Sequence, residues 1–351
     1  MTHGLKTSPR NKAAWLGVTL LSLACAAQAK VTMCVFDPMG ANGDGFLAAR
    51  DYKVEMSEQG VEIDLRPFTD ERVAVEDFKT GQCDAVMATA MRTRQFNGLA
   101  ASLDSLGASS IIRNGKIDLP ASFEVVRRFI DTMSLPKAAE LMAEGQYEIA
   151  GIFPLGAAYA FINDRSLTSL ESLAGKRIGA FDHDKAQAEL IQRIGARPVT
   201  VDINNFGASF NNGNLDAVAA PAIAFKPYEL FRGVGTKGGV VRFPLTISTY
   251  QMVIRQAKFP AGFGQRSRVY IAHNFDLAMA TLKLADRTIP EAMWVEMTGP
   301  DIERYQKIIK EVRIQMAESG YYDKKGLKVI KKIRCSLNPE AAECTDGAES
   351  W

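Results

Sequence analysis

Asp182 and Asp184 flank His183 in the segment Phe181-Asp-His-Asp-Lys-Ala-Gln187, a compact group of side chains that carry protons. Paired carboxylates of this kind serve acid–base chemistry when their environments push their pKa values apart. Here they stand where a strand meets a helix start, so helix capping fits them better than catalysis. The amides of the same helix start attract an anion. Gly43-Asp-Gly45-Phe-Leu-Ala48 matches the G-x-G-x-x-A spacing of dinucleotide sites. Standing alone it reads as a loop whose amides can meet a ligand, with Asp44 available to cap the helix that follows. Among catalytic signatures, no G-x-S-x-G elbow, H-E-x-x-H pair or phosphate-binding P-loop occurs. Only three histidines are present, which leaves little material for a histidine metal centre. No metal and no cofactor is expected.

The remaining polar candidates cluster at strand ends. Asp37, Asn42 and Asp44 offer acceptors after a first strand, Val31 to Phe36. Thr89 stands at the end of a third strand, Asp84 to Met91, and Arg92 and Arg94 lie just past it. Tyr159, Phe206 and Tyr250 could stack on a ligand, and Arg177, Phe181, Asp182 and His183 stand around a strand of the second half. A helix near 46–59, a strand at 61–65 and a helix around 71–80 complete an alternation of strands and helices. That order argues for open α/β sheets with ligands held beyond the carboxyl ends of the strands.

The alternation recurs from residue 169 onward, with a helix at 186–194 and strands at 198–202 and 216–220. Phe78-Lys-Thr-Gly-Gln-Cys-Asp-Ala-Val-Met-Ala-Thr-Ala90 aligns with Phe210-Asn-Asn-Gly-Asn-Leu-Asp-Ala-Val-Ala-Ala-Pro-Ala222, identical at seven of thirteen positions. Each copy ends a helix at Gly and turns at Asp into an apolar strand. Two similar lobes follow. The expected division is residues 30–155 plus 248–275 for lobe I and 156–247 for lobe II, with 276–351 as a helical C-terminal segment and stapled tail. Ile302, Tyr305, Ile309, Val312 and Met316 fall on one helical face. The lysine-rich run from Lys324 to Arg334 reads as a solvated face.

The 351 residues, 47% apolar and 23% charged, match an ordinary globular protein and exceed one small module. Lys6, Arg10 and Lys12 precede an apolar run from Ala13 to Ala27 and the small-x-small pattern Ala27-Gln-Ala29. This is the layout of a cleavable secretory signal peptide over residues 1–29. Its removal takes three basic and no acidic residues, turning the formal charge of +2 into −1. Such a balance excludes a dedicated nucleic-acid partner. The mature chain keeps Cys34, Cys83, Cys335 and Cys344. In an oxidising compartment these pair, with Cys34–Cys83 and Cys335–Cys344 preferred; buried free thiols and a zinc site are the competing readings.

The Gly-x-x-Asp-Ala turn in both lobes, with the Leu-x-x-Leu-x-Gly-Lys-x-Ile-Gly run from Leu170 to Gly179, resembles two-lobed periplasmic solute-binding proteins. Order and length resemble those of TRAP transporters most. The whole mature chain is similar to a bacterial solute-binding family in which some members are named as an efflux component in aminoglycoside resistance. The resemblance implies a monomer that closes over a small molecule by hinge bending and is read by membrane transporter subunits. It also implies a carboxylate clamp made by an Arg of a G-x-R stretch, but this chain has Gly156-Ala157-Ala158 there. A second clamp position falls on Gly179. A simple organic acid is therefore not the expected ligand. Two alternatives stay open: a periplasmic enzyme on the same scaffold, and an accessory component of a drug-efflux system.

Overall fold

The computed structural model describes residues 1–5, 29–345, 347, 349 and 351. The expected signal segment, Cys25 included, lies outside the described residues except at its two ends. The chain opens with β1 (Ala29–Phe36), α1 (Asp44–Glu58), β2 (Val61–Phe68), α2 (Glu71–Lys79) and β3 (Ala85–Thr89). Asp70 starts α2 by accepting the amide hydrogens of Arg72 and Val73. A long amphipathic helix, α3 (Leu119–Met133), leads toward the sixteen-residue strand β4 (Tyr147–Ile162). The opening pattern then repeats as β5 (Arg177–Phe181), α4 (Lys185–Arg193), β6 (Arg197–Val201), α5 (Phe206–Asn211) and β7 (Ala217–Pro221). After β8 (Gly239–Val241) comes the second long strand, β9 (Thr246–Arg255). Helices α6 (Phe263–His273) and α7 (Phe275–Asp286), the short β10 (Trp294–Val295), α8 (Gly299–Glu318) and α9 (Lys324–Leu337) complete the order.

The sheet runs β2-β1-β3-β9-β4-β7-β5-β6. Both outer trios are parallel, β1 between β2 and β3, β5 between β6 and β7. What the repeat predicts as two sheets is joined into one ladder, because β4 and β9 pair antiparallel along ten residues and belong to both halves. Where they cross, Ser248 faces Gly156 and Thr249 faces Pro154, so Leu155 bulges out unpaired. Gly156 takes φ +116°, a region closed to residues with a side chain.

The internal match has a physical basis. Gly81 and Gly213 both adopt positive φ, +84° and +74°. The amide of Asp84 donates to the Thr32 carbonyl at 2.8 Å, and its Oδ2 accepts the Thr32 amide at 3.0 Å. Asp216 does the same to Arg177, at 2.7 and 2.8 Å. In each half the aspartate clips the start of one strand to its neighbour.

Cys34 and Cys83 are bonded between β1 and the turn into β3, and Cys335 and Cys344 close the tail. The predicted face of α8 is buried at all five positions. The basic run on α9 departs from expectation at one residue. Arg334 is fully buried, held by Glu343 and Glu349, while Arg313 of α8 shares Glu349. Among the described residues no helix is long and apolar enough to cross a membrane.

Candidate ligand-binding site

The carboxyl ends of the parallel strands converge on a cavity of about 540 Å³ between the halves. That size lies within the roughly 300–1,000 Å³ of small-molecule sites. β1 contributes Phe36 and the following Asp37, β3 contributes Thr89, β5 contributes Phe181 and β7 contributes Pro221. The crossing strands supply Leu155, Ala158, Ser248 and Tyr250. Helix α7 forms a side wall through Thr281, Leu284 and Ala285, and Thr288 just after it extends the wall. Period-two alternation along β4 turns Ala158 to the cavity and Tyr159 away from it.

Asp37 is the most constrained polar group in this wall. Its Oδ1 accepts the Met39 amide at 2.8 Å and its Oδ2 the Phe46 amide at 3.1 Å. Burial pushes its carboxyl above the ordinary value, and those amides only partly offset the push. The Gly43-x-Gly45 motif finds its reason here. A Cβ on Gly43 would stand 1.7 Å from Asp37 Oδ1, and one on Gly45 would stand 2.9 Å from Oδ2. The glycines make room for an aspartate. Burial also raises the Tyr250 phenol, with the negative charges of Asp37 and Glu71 adding to it.

Of the expected residues, Asp37, Asn42, Asp44, Thr89, Phe181, Phe206 and Tyr250 reach the cavity wall. Asn42 and Asp44 do so as exposed residues of its mouth. Asp44 opens α1 without capping it; Gly43 is the cap residue. Asp184 does cap, and its Oδ1 takes the amide hydrogens of Ala186 and Gln187, so an anion finds those donors already occupied.

Six expected residues lie off the wall, each held by a nearer partner. Arg177 sits at the opposite end of its strand, paired with Asp216 at 2.9 Å. Tyr159 packs edge-on against Trp294 at 4.9 Å. Arg94 lies over the Tyr322 ring at 4.7 Å and donates to the Ala101 carbonyl. Arg92, Asp182 and His183 form a chain of their own. Arg92 reaches the buried Glu71 at 3.7 Å and crosses to Asp182 at 3.2 Å, and His183 bonds Asp182 at 2.7 Å. Desolvation raises the Asp182 carboxyl, but the His183 hydrogen bond and the Arg92 charge outweigh it, leaving the group below its usual value.

The sequence reading passed over Phe36, Tyr228 and the α7 wall. One signal could have found Phe36. Asp37 and Asp182 donate their amides to Phe68 and Val201, the equivalent ends of β2 and β6, at 2.9 and 3.0 Å. Phe36-Asp37 and Phe181-Asp182 are thus the same dipeptide at the same place in both halves. The clamp positions are also explained. Ala158 faces the cavity with no guanidinium to offer, and a Cβ on Gly179 would press on Leu215 at 3.1 Å and Val218 at 3.3 Å inside the core.

Residues 56–349 match the family model described as solute-binding protein AdeT 1/2. The chain is 42% identical over 310 residues to the probable solute-binding protein AdeT1 of Acinetobacter baumannii, covering 88% of this chain and 98% of that protein. Among solved structures it is similar to a TRAP periplasmic solute-binding protein of Shewanella oneidensis with bound succinate. There the TM-score is 0.67 and the identity 10%, over 88% of this chain and 100% of the other. A TRAP periplasmic solute-binding protein of Desulfovibrio salexigens with bound orotic acid gives a TM-score of 0.66 at 12% identity, over 88% and 99%. The two-lobed α/β fold is shared with these proteins.

Proposed function

This chain belongs to the solute-binding protein AdeT 1/2 family, and from that premise we propose that it captures a small molecule between its lobes and presents it to a membrane transporter. The observation that carries this reading is the cavity, walled from both halves by strand ends and lined by the two shared strands and by α7. The structural relatives crystallised with succinate and orotic acid are TRAP periplasmic proteins. By the same reasoning this chain works in the periplasm, exported by the segment over residues 1–29, as a monomer and without catalysis. Residues 30–155 with 248–275 form the first lobe and 156–247 the second, braced by the helical segment 276–351. Asp37, Thr89, Phe181, Phe206 and Tyr250 contact the ligand, and Asn42 and Asp44 guard its entry. Ligand binding selects the closed form, which the transporter reads.

Native mass spectrometry of the purified protein, with a thermal-shift screen of organic acids, amines and sugars, tests the reading. A bound small molecule, or a compound that raises Tm, is expected. A protein that carries none and is stabilised by none overturns it.

A further inference from the structure

The charge lining the cavity is lopsided. Asp37, Asp44 and Asp184 contribute carboxylates, and among the described residues the single basic lining one is Lys226, which is exposed. No arginine lines it among the described residues. Arg92 is committed to Glu71 and Asp182, and Arg177 to Asp216. Asp37 is only 4% exposed, and the partners of its oxygens are backbone amides; no cation pairs with it among the described residues. The amides of Met39, Gly45 and Phe46 share its two oxygens, which leaves a lone-pair direction open for a ligand.

Aromatic faces surround this acid. In the first half Phe36 meets Tyr250 edge-on at 6.2 Å. From the second half Phe206 lies 5.4 Å from Phe181 and 4.4 Å from Tyr228. Thr89 stands opposite Tyr250 in the β3–β9 register. It is 6% exposed, and its hydroxyl has no hydrogen-bond partner although it lines the cavity. A buried hydroxyl left open is costly unless a ligand or water completes it. The mouth is apolar as well, with Met39 and Leu284 on the wall at 52% and 62% exposure.

We propose that the occupant is an organic cation, an amine or quaternary ammonium on an apolar body, with its charge against Asp37 and its flanks between Tyr250 and the Phe206–Tyr228 pair. This deepens the solute-capture reading and rests on it. A buried acid without a counter-charge attracts a cation and repels a carboxylate, and the faces of Tyr and Phe rings add cation–π attraction. Thr89 supplies an acceptor for an ammonium hydrogen. Ala158 leaves apolar space where a clamp arginine would impose a carboxylate.

The test uses the mature protein and three probes of one shape: 2-phenylethylamine, 2-phenylethanol and phenylacetate, titrated by calorimetry. The amine is expected to bind about tenfold or more tighter than the alcohol, and phenylacetate weakest. Asp37→Asn should erase the preference for the amine. Because that change also disturbs the loop, Tyr228→Leu is the second variant, expected to weaken the amine about tenfold and leave the alcohol nearly unchanged. Phenylacetate binding as tightly as the amine overturns the cation proposal and leaves solute capture intact. If no probe binds, the molecule that co-purifies decides. A cation supports the proposal, and a neutral or anionic molecule overturns it alone. The absence of any bound molecule overturns both readings together.

Discussion

Gly43 and Asp37 can keep their places only because one has no side chain. Gly43→Ala would drive a methyl group into the carboxylate that organises the loop. It should cost about 1–3 kcal/mol in urea unfolding, as overpacking of a tight site does, and should weaken ligand binding as well. Asp104 offers a cleaner reading of pH. It is buried beneath the β4–β9 crossing, where Thr249 donates to it from both its amide and its hydroxyl, at 2.7 and 2.6 Å. Desolvation lifts its carboxyl from 3.8 to about 7. The folded state therefore holds a proton that the unfolded state releases above about pH 4. Stability should fall as pH rises from about 4 to about 7, with a slope of at most about 1.4 kcal/mol per pH unit from this group. Asp104→Asn, which can make both contacts without ionising, should flatten that slope in Tm measured across the same range. At this scale sequence patterns had limited reach. Thr89 was legible from its position at a strand end, and Tyr250 only as an aromatic able to stack on a ligand. Arg92 and Arg94 were not, because what removes them from the wall is Glu71, Asp182 and Tyr322, all distant in sequence.

The elements were easier to read than the contacts between them. α2 was readable from its place between two strands, and α8 from its apolar spacing, because local pattern fixes both. The Phe-x-x-Gly-x-x-Asp-Ala-Val turn was readable twice, since each copy needs the same positive φ and the same aspartate clip. What pattern could not reveal is that β4 and β9 each serve two halves. A long apolar strand looks the same whether it ends in one sheet or passes through two. The Cys34–Cys83 bridge ties β1 to the turn before β3, across a separation of 49 residues. On chain-entropy grounds a loop of that length is worth about 4 kcal/mol. The double variant Cys34→Ala with Cys83→Ala should lose stability of that order in urea. Replacing Cys335 and Cys344, only 9 residues apart, should lose about 1.5 kcal/mol less.

Polar contacts outside the cavity add to the shared strands and the C-terminal helices in holding the halves together. Besides Arg92 with Asp182, Asn204 donates to Asp70 across the gap at 2.8 Å. Asp182→Asn combined with Asn204→Ala should loosen the halves while keeping the Arg92–Glu71 pair and the brace of α8 and α9. The expected result is a larger radius of gyration by small-angle X-ray scattering without ligand, and weaker ligand binding. Because the Asp182 carboxyl is held below its ordinary value, this contact persists at neutral pH. It is lost only as acidity carries the group through its lowered folded value.

The two shared strands set how any such opening proceeds. A pair of strands hydrogen-bonded along ten residues does not fold like a paper crease. Opening would have to twist it, most readily where Leu155 steps out of the ladder and Gly156 turns through its unusual φ. In hydrogen–deuterium exchange the amides of the crossing should therefore stay protected whether or not the cavity is filled. Occupancy should instead be written at the rims, around residues 37–45 and 221–228. That outcome would make the crossing a torsion spring, with occupancy read out far from the pivot.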